Sequence, residues 1–231
     1  MTSEYRTEFL ERIQRTSAAN SYRFKRPEGM DFAPGQYMLV DLGGGLIHPL
    51  SLSDCPEEYD YIEFTKRMTG SEYCRRLESL KKGEQIAVKG PEGRFTLNDP
   101  VGEVILLAGG IGITPIRSIL KSREKKGECR GRLVLIYGNK NKEDIAFRDE
   151  LEHLRLADFK LVHVLSDTTG VEKADKGFIT AGIIAREVSR KESAIYMVSG
   201  PPVMVKAVRE ALAATGVPEE RIKTDAFMGY D

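Results

Sequence analysis

Val104-Ile105-Leu106-Leu107-Ala108-Gly109-Gly110-Ile111-Gly112-Ile113-Thr114-Pro115 is the stretch that decides the fold of this 231-residue chain. Its first five residues form an unbroken apolar run, which predicts a parallel strand buried on both faces. A glycine turn follows, and then Thr114, a good N-cap, and Pro115, which suits a first helical turn. Glycines let an anion approach backbone N–H groups at a helix N-terminus, so the stretch predicts a nucleotide-phosphate site. A strand-to-helix turn without a ligand is the alternative.

Downstream of this stretch, apolar runs and helical patterns alternate. Further buried strands are expected at 133–137, 159–165, 194–198 and 222–227, and helices at 114–126, 144–154, 180–188 and 202–214. This βαβαβ order predicts an α/β domain with a doubly wound parallel sheet. We place that domain at 100–231, with the boundary near Asp99. Ligands of such sheets bind where the first strand ends, which favours a ligand at the glycine turn over an empty turn.

The first 99 residues have a different rhythm. Short, roughly alternating segments are separated by turn clusters at 26–29, 33–35, 43–45 and 90–93. Short strands with Pro/Gly punctuation predict an antiparallel β-barrel or sandwich. One helix is expected at 71–80, where Tyr73, Leu77 and Leu80 share a face and Gly83 follows the end. The sequence therefore predicts a β-barrel domain with one helix at 1–99.

Bulk composition excludes several classes of protein. Basic and acidic residues balance at 35 each, which argues against nucleic acid as the main partner. Cys55, Cys74 and Cys129 are scattered and form no CxxC pair, so no metal or iron–sulfur site of the chain's own is expected. The N-terminus lacks an apolar segment, and the apolar runs are too short for a membrane span. Isolated thiols then favour a cytoplasmic location.

Six motifs in order resemble those of the ferredoxin–NADP(H) reductase superfamily. They are Pro34-Gly35-Gln36-Tyr37, His48-Pro49-Leu50-Ser51, Gly90-Pro91-Glu92-Gly93-Arg94-Phe95, Ala108 to Pro115, Ser199-Gly200-Pro201-Pro202-Val203-Met204 and Phe227-Met228-Gly229-Tyr230. The resemblance spans nearly the whole chain. It implies a barrel that binds FAD, or less often FMN, and an α/β domain that binds NADH or NADPH. The implied chemistry is hydride transfer from nicotinamide to flavin.

The family's usual flavin signature is Arg-x-Tyr/Phe-Ser, and this chain departs from it. In the stretch 48–51 only Ser51 matches cleanly, since His48 is mostly neutral at pH 7 and Leu50 cannot stack like a ring. The segment 64–73 resembles the family's flavin-phosphate segment, with Ser71 as N-cap and Lys66 or Arg67 as the missing positive charge. The flavin-binding residues that the resemblance implies are His48, Pro49, Leu50, Ser51, Phe64, Thr65, Lys66, Arg67, Gly70, Ser71, Tyr73, Phe227 and Tyr230.

The resemblance also implies a nicotinamide-nucleotide site in the second domain. Its residues are Gly109, Gly110, Ile111, Gly112, Thr114, Pro115, Asn139, Ser166, Asp167, Gly200, Pro201, Pro202 and Met204. Ser51, Thr114 and Ser199 are the expected catalytic residues; many family members have cysteine at the position of Ser199. Asp167 stands where NADP-selective members tend to carry arginine. A carboxylate repels a 2′-phosphate, so NADH is favoured, although Lys140 and Lys142 offer partial compensation.

Three functions fit this sequence. The first is a reductase that passes electrons from NAD(P)H through flavin to an acidic redox protein or an oxygenase component. Its docking face would use the exposed cations Arg75, Arg76, Lys81 and Lys82. The second is a reductase of free flavin or another small acceptor. The third, motivated by His48, Leu50 and Ser199, is a nucleotide-binding electron-transfer or regulatory subunit with weakened catalysis.

Overall fold

The computed structural model describes residues 3–58, 60–97, 102–127, 131–190 and 192–227. It contains two six-stranded sheets. One uses the strands of 3–92 and the other uses the strands of 103–226. The predicted boundary near Asp99 lies outside the described residues and stays a prediction.

The first sheet is an antiparallel, nearly closed barrel, as predicted. Its elements are β1 (Ser3–Gln14), β2 (Ala19–Lys25), β3 (Tyr37–Asp41), β4 (Ile47–Ser51), β5 (Tyr61–Arg67), α1 (Glu72–Glu78) and β6 (Gln85–Glu92). The strand order is β4-β3-β6-β1-β2-β5, and a bridge between Leu52 and Phe64 links the two ends. Aromatic side chains such as Tyr22, Phe24 and Phe64 fill the interior. The side chain of Ser71 caps α1 by accepting from the backbone N–H of Cys74, also as predicted.

The second sheet is parallel and doubly wound, which confirms the predicted α/β class. Its elements are β7 (Glu103–Gly109), α2 (Ile113–Lys126), β8 (Arg132–Asn139), α3 (Arg148–Glu152), β9 (Phe159–Leu165), β10 (Ala174–Lys176), α4 (Ala181–Glu187), β11 (Ile195–Gly200), α5 (Pro202–Ala214) and β12 (Ile222–Ala226). In the order β10-β9-β8-β7-β11-β12, the strands β8 to β10 are added on one side of β7, and β11 and β12 on the other side. A ligand crevice is expected at the carboxyl end of β7.

The apolar run of β7 is continuous because both of its faces are covered. Val104, Leu106 and Ala108 face the core that includes α2 and α3. Ile105 and Leu107 face the core that includes α4 and α5. Alternate residues of one strand thus serve two cores, which is why the sequence shows no alternation there.

Two local predictions were wrong, and one short strand was missed. Thr114 is not an N-cap, because a 3-10 turn at Gly110–Gly112 continues directly into α2 and places Thr114 in the first helical turn. The helix expected over 144–154 spans only Arg148–Glu152, because Phe147 is left-handed and interrupts the helical path. The short strand β10 was not expected, since its three residues lie in a polar loop with no apolar pattern.

A buried charge cluster joins the barrel to the α/β domain. Arg117 of α2 is 2% exposed and crosses to β5, where its guanidinium lies 3.3 Å from the carboxylate of Glu63. Arg15 and Arg23 of the barrel bind the same carboxylate at 3.2 and 2.8 Å. Arg117 also donates twice to Glu150 at 2.8 Å. The fully buried Glu63 is therefore neutralised by arginines from both domains.

Among the described residues, no helix is both long enough and apolar enough to cross a membrane.

Candidate functional site

Three glycines, at the end of β7 and in the turn that follows it, are needed for different structural reasons. A Cβ on Gly112 would lie 2.3 Å from the backbone oxygen of Ser199, and one on Gly109 would lie 2.1 Å from Sδ of Met204. These two glycines allow the turn to pack against β11 and α5. Gly110, by contrast, has φ +50°, and a Cβ on it would meet nothing within 4 Å. Gly110 alone leaves open space beside the turn.

The start of α2 is tied down by its own backbone. The hydroxyl of Thr114 donates to the carbonyl of Ile111 at 3.1 Å, and Thr114 is 1% exposed. Pro115 is the third residue of α2, still within the first turn where a missing N–H costs no helical hydrogen bond. The turn is thereby a rigid wall of the crevice at the end of β7.

A cleft of about 730 Å³ opens at this turn, between the α/β domain and the barrel. Eight residues that the sequence assigned to cofactors line it: Arg67, Gly109, Gly110, Ile111, Asn139, Ser166, Pro201 and Met204. Six others assigned to the nicotinamide nucleotide are not in its lining: Gly112, Thr114, Pro115, Asp167, Gly200 and Pro202. The cleft has the size of a typical ligand site, 300–1,000 Å³ as a rough range.

Several lining residues were missed by the sequence analysis. The barrel contributes Thr16 and Ala18 from the turn between β1 and β2, and Ala19 from the start of β2. The α/β domain contributes Phe178 and Val203, which are 81% and 82% exposed. An aromatic residue in an otherwise polar loop was a usable signal for Phe178. The barrel residues carried no such signal, because only the tertiary structure brings that turn to the cleft.

Asp167 lies in the loop that follows β9, beside the end of β8. The backbone N–H of Asp167 donates to the carbonyl of Lys140 at 2.8 Å, and that of Ser166 donates to Asn139. Its carboxylate accepts from the hydroxyl and the N–H of Thr169, and these hydrogen bonds lower the pKa of Asp167. The carboxylate is exposed and ionised next to the residues that line the cleft.

The barrel carries a second candidate site around Tyr73. The ring of His48 lies 4.1 Å from that of Tyr73, and the ammonium of Lys66 lies 5.8 Å from the same ring. Burial, and then the charge of Lys66, lowers the pKa of His48, so the imidazole is neutral at pH 7. Lys66 supplies the positive charge there, although burial lowers its own pKa. The half-buried imidazole of His48 can donate a hydrogen bond, and the charge of the buried Lys66 favours an anion such as a phosphate at this site.

The sequence treated Lys66 and Arg67 as alternatives, and the structure separates them. Lys66 is 3% exposed and faces the side of the barrel that carries Tyr73. Arg67 is exposed and lines the large cleft. Successive residues of a strand point to opposite faces, so the two cations serve two different sites.

The other residues assigned to flavin divide into buried and exposed groups. Leu50 and Phe64 are 3% and 1% exposed in the barrel core, and Thr65 is 4% exposed on the opposite face of β5, where it bonds to Ser53 beside Glu63. Pro49, Gly70 and Ser71 are exposed. Ser51 is 9% exposed at the end of β4. Little surface of Leu50, Phe64 or Thr65 is available to a ligand.

At the end of β11, Ser199 lies beside a carboxyl group of the neighbouring strand β12. The hydroxyl of Ser199 is buried and has no hydrogen-bond partner among the residues that the structure describes. Asp225 of β12 is its register partner, and burial raises the pKa of Asp225 to about 6. Asp225 also acts electrostatically on Tyr37, whose register partner on β4 is Ser51. Asp225, a residue that the sequence analysis missed, therefore lies beside Ser199 and within electrostatic reach of Tyr37.

The C-terminal motif is described only in part. The N–H of Phe227 donates to the carbonyl of Gly200 at 3.0 Å, which holds the chain end against the turn after β11. Tyr230 lies outside the described residues, and its assignment to flavin stays a prediction.

The cations proposed for docking are not equivalent. Arg76 forms an ion pair with Glu84, and Arg75 donates to the carbonyl of Gly70. Lys81 and Lys82 are exposed beyond the end of α1. Within the described ranges, no group of three or more His, Cys, Asp or Glu side chains is arranged to hold a metal ion.

Comparison with known proteins identifies a family model for the α/β domain and relatives over most of the chain. The family model of the oxidoreductase NAD-binding domain matches residues 106–210. The reductase component of propane 2-monooxygenase from Mycolicibacterium goodii is 32% identical over 97% of this chain and 68% of its own length. The gamma subunit of sulfhydrogenase 2 from Pyrococcus furiosus is 31% identical over 84% of this chain and 72% of its own length.

A solved structure with the same fold is the cytochrome b5 reductase domain of Ulva prolifera nitrate reductase. It superposes with a TM-score of 0.85 at 23% identity, and the match covers 96% of this chain and 97% of that one. The chain spans only 57% and 60% of the length of two further propane 2-monooxygenase reductase components, from Rhodococcus jostii and Mycolicibacterium smegmatis.

Proposed function

We infer the function from the family to which the chain belongs, the ferredoxin–NADP(H) reductase superfamily. We propose that it takes electrons from NADH in the large cleft and passes them through FAD on the barrel to a separate acceptor protein. One observation carries the proposal. The cleft has one wall at the glycine turn of the α/β domain and the other at the barrel, where Arg67 lines it.

The residues of the cleft fit a dinucleotide. Gly110 leaves room for close approach to the backbone, and Arg67 and Lys140 place positive charge along the lining for a pyrophosphate. Phe178 offers an exposed flat ring at the rim, which suits a purine. The two walls together would exclude water from the bound nicotinamide.

The barrel face fits a flavin phosphate better than it fits the family's usual ring contact. Half-buried, neutral His48 supplies a donor beside Tyr73, and Lys66, which is 3% exposed, adds positive charge from beneath the surface in place of the usual arginine. Leu50, buried in the core, provides no exposed stacking surface. Bound flavin supplies the redox chemistry, and the protein contributes binding, orientation and exclusion of water. We therefore expect FAD to be held mainly through its phosphate and adenosine portions.

NADH is the proposed donor because of the charge near Asp167. Its exposed, ionised carboxylate follows directly after Ser166, which lines the cleft. A 2′-phosphate at this position would meet a like charge, whereas a ribose hydroxyl could donate to it. Lys140 lies in the same lining and reduces, but does not remove, the repulsion between Asp167 and a 2′-phosphate.

The proposed acceptor is an acidic redox protein or an oxygenase component. The relatives that carry the name reductase component of propane 2-monooxygenase suggest this class of acceptor. Lys81 and Lys82 provide exposed positive charge beyond α1, on the flavin-bearing domain. Complementary charge of this kind steers association more than it adds affinity.

Cofactor content and donor preference test the proposal directly. The purified chain, reconstituted with FAD, should show flavin absorbance and reduce ferricyanide with NADH at a kcat/KM at least tenfold above that with NADPH. Free FMN in place of ferricyanide separates a reductase of small acceptors from one that needs a protein acceptor. A colourless protein that FAD and FMN both fail to reconstitute contradicts the reductase and supports a nucleotide-binding regulatory subunit.

Replacing Arg67 by alanine tests the assignment of this cation to the nucleotide cleft. We expect KM for NADH to rise about tenfold, because one charge-assisted hydrogen bond to phosphate is lost. The kcat at saturating NADH and the flavin content should stay within about twofold, since the flavin face keeps Lys66. Arg12→Ala, on the exposed surface of β1, is the matched control. An unchanged KM for NADH together with a loss of bound flavin would instead show that Arg67 binds flavin.

Replacing Asp225 by asparagine tests the carboxyl group beside Ser199. Because burial raises the pKa of Asp225 to about 6, it is mostly protonated at pH 5 and ionised at pH 7. An ionised carboxylate stabilises the positive charge that develops on nicotinamide, so the rate of flavin reduction should rise through pH 6. The asparagine variant should lack this inflection and stay slow. Glu220→Gln, in the exposed turn before β12, should keep the profile; an inflection that survives in Asp225→Asn assigns it to another group.

A further inference from the structure

The interface between the two domains holds a buried aromatic ring between two arginines. The guanidinium carbon of Arg15 lies 4.7 Å from the ring centroid of Phe147, and that of Arg117 lies 4.2 Å from it. Phe147 is 6% exposed and Arg117 is 2% exposed. Both distances are within the range for cation–π attraction, which strengthens when the groups are desolvated. We call Phe147 with Arg15 and Arg117 the interdomain clamp.

The two arginines cannot move apart independently. Each binds the buried carboxylate of Glu63, Arg15 at 3.2 Å and Arg117 at 3.3 Å. Arg117 is also held by Glu150 of α3, the helix that begins directly after Phe147. One arginine comes from the barrel and the other from the α/β domain. The ring is therefore gripped from both domains at once.

The backbone of Phe147 adopts a conformation that a bulky residue normally avoids. Its φ of 60° and ψ of 25° are left-handed, and it is the only non-glycine with positive φ among the residues that the structure describes. Such a conformation persists only when its surroundings impose it. Here the surroundings include the two guanidinium groups, which attract the ring in the orientation that this backbone conformation gives it.

The clamp joins the two walls of the cleft through the chain itself. Arg15 directly precedes Thr16, and Ala18 follows soon after; both line the cleft from the barrel. Phe147 directly follows Ala146, which lines the cleft from the α/β domain. A change in the distance between Arg15 and Phe147 is thus a change in the separation of the cleft walls.

We propose that Phe147 is a positioning residue: its ring, held between Arg15 and Arg117, fixes the separation of the flavin-bearing barrel and the nucleotide-bearing sheet. The proposal rests on the function proposed above, since that function needs nicotinamide and flavin in one fixed geometry. Hydride transfer requires reacting atoms about 3–3.5 Å apart, and a displacement of about 1 Å can lower the rate about a hundredfold. Phe147 is not part of the lining of the cleft and acts through the walls.

Phe147→Leu tests the clamp because it retains apolar volume and removes the aromatic face. We expect the rate of flavin reduction by NADH to fall about 10- to 100-fold. Flavin content, and oxidation of dithionite-reduced protein by ferricyanide, should stay within about twofold, because neither depends on how nicotinamide is placed. Phe147→Tyr, which keeps the ring, should restore most of the rate. Phe159→Leu, at the start of β9, is a matched control within the same core.

Hydrogen exchange gives a readout that does not depend on activity. Backbone amides of residues 16–19 and 144–146 should exchange at least about tenfold faster in Phe147→Leu, while those of β3 stay unchanged. Equal losses in both half-reactions, or unchanged exchange at both walls, would overturn the positioning role. If Phe147→Leu does not fold, Phe147→Met serves with the same expectations. A wild-type protein that NADH does not reduce refutes the proposed function, and the exchange data still decide on the clamp.

Discussion

Replacing Glu63 by glutamine is expected to lower the free energy of unfolding by about 3 kcal/mol at pH 7. The side chain is fully buried, and three arginines bind its carboxylate. Glutamine preserves the shape but leaves Arg117 and Arg15 with less negative charge in a dry environment. A buried charge without its partner costs far more than the intact pair contributes.

The pH dependence of this loss has a definite sign. Burial alone would raise the pKa of Glu63, but the charges of Arg117 and Arg15, with Arg23, outweigh it and lower the pKa from 4.5 to about 2. A carboxyl group whose pKa is lowered by folding contributes its stability in full above pH 4.5. That contribution is lost as the pH falls toward 2, and the shift corresponds to about 3 kcal/mol.

Urea unfolding of the two proteins between pH 7 and pH 3 measures both effects. The difference between wild type and Glu63→Gln should be constant from pH 7 to about 5 and should shrink below that. Glu11→Gln is the matched control, because Glu11 also binds Arg23 but is 52% exposed. Its loss should stay below about 1 kcal/mol. A difference under about 1 kcal/mol for Glu63→Gln would mean that water or a rearranged arginine replaces the carboxylate.

The fold could be predicted from the sequence because its signals are local. The run 104–108 is apolar at every position, since β7 is covered on both faces. The barrel strands lie between turns whose proline and glycine residues are visible in the sequence. Element ends were less secure: the 3-10 turn before α2 and the left-handed Phe147 depend on tertiary packing. Those contacts leave no periodic pattern in the sequence.

The candidate site was predictable in part. Motif resemblance assigned Asn139, Ser166 and residues 109–111 of the glycine turn to the nicotinamide nucleotide, and all of them line the cleft. Arg67 also lines it, although the resemblance assigned this residue to flavin. It did not identify Asp225, whose proximity to Ser199 arises only from the register of β11 and β12. It also missed the barrel wall at Thr16 and Ala18, because residues so far before the glycine turn meet it only after folding. Spacing along the chain cannot show contacts between domains.

Gly112→Ala is expected to lower the free energy of unfolding by about 3 kcal/mol or more, and to abolish NADH oxidation with it. The new Cβ would lie 2.3 Å from the oxygen of Ser199 and 2.5 Å from Cα of Gly200. All of these are backbone atoms of β11 and its turn, so no side chain can rotate away. The turn must separate from β11, and both walls of the nicotinamide end then shift.

Gly110→Ala is the matched comparison, because it adds the same methyl group two residues away. Nothing lies within 4 Å of its Cβ, so the cost is mainly that of a left-handed alanine at φ +50°, about 1 kcal/mol. That methyl projects into the space kept for the dinucleotide, so KM for NADH should rise about tenfold or more while the protein stays folded. Urea unfolding and NADH kinetics on both variants separate the two reasons for glycine. Equal stability losses would contradict this division, in which Gly112 serves packing and Gly110 serves the ligand.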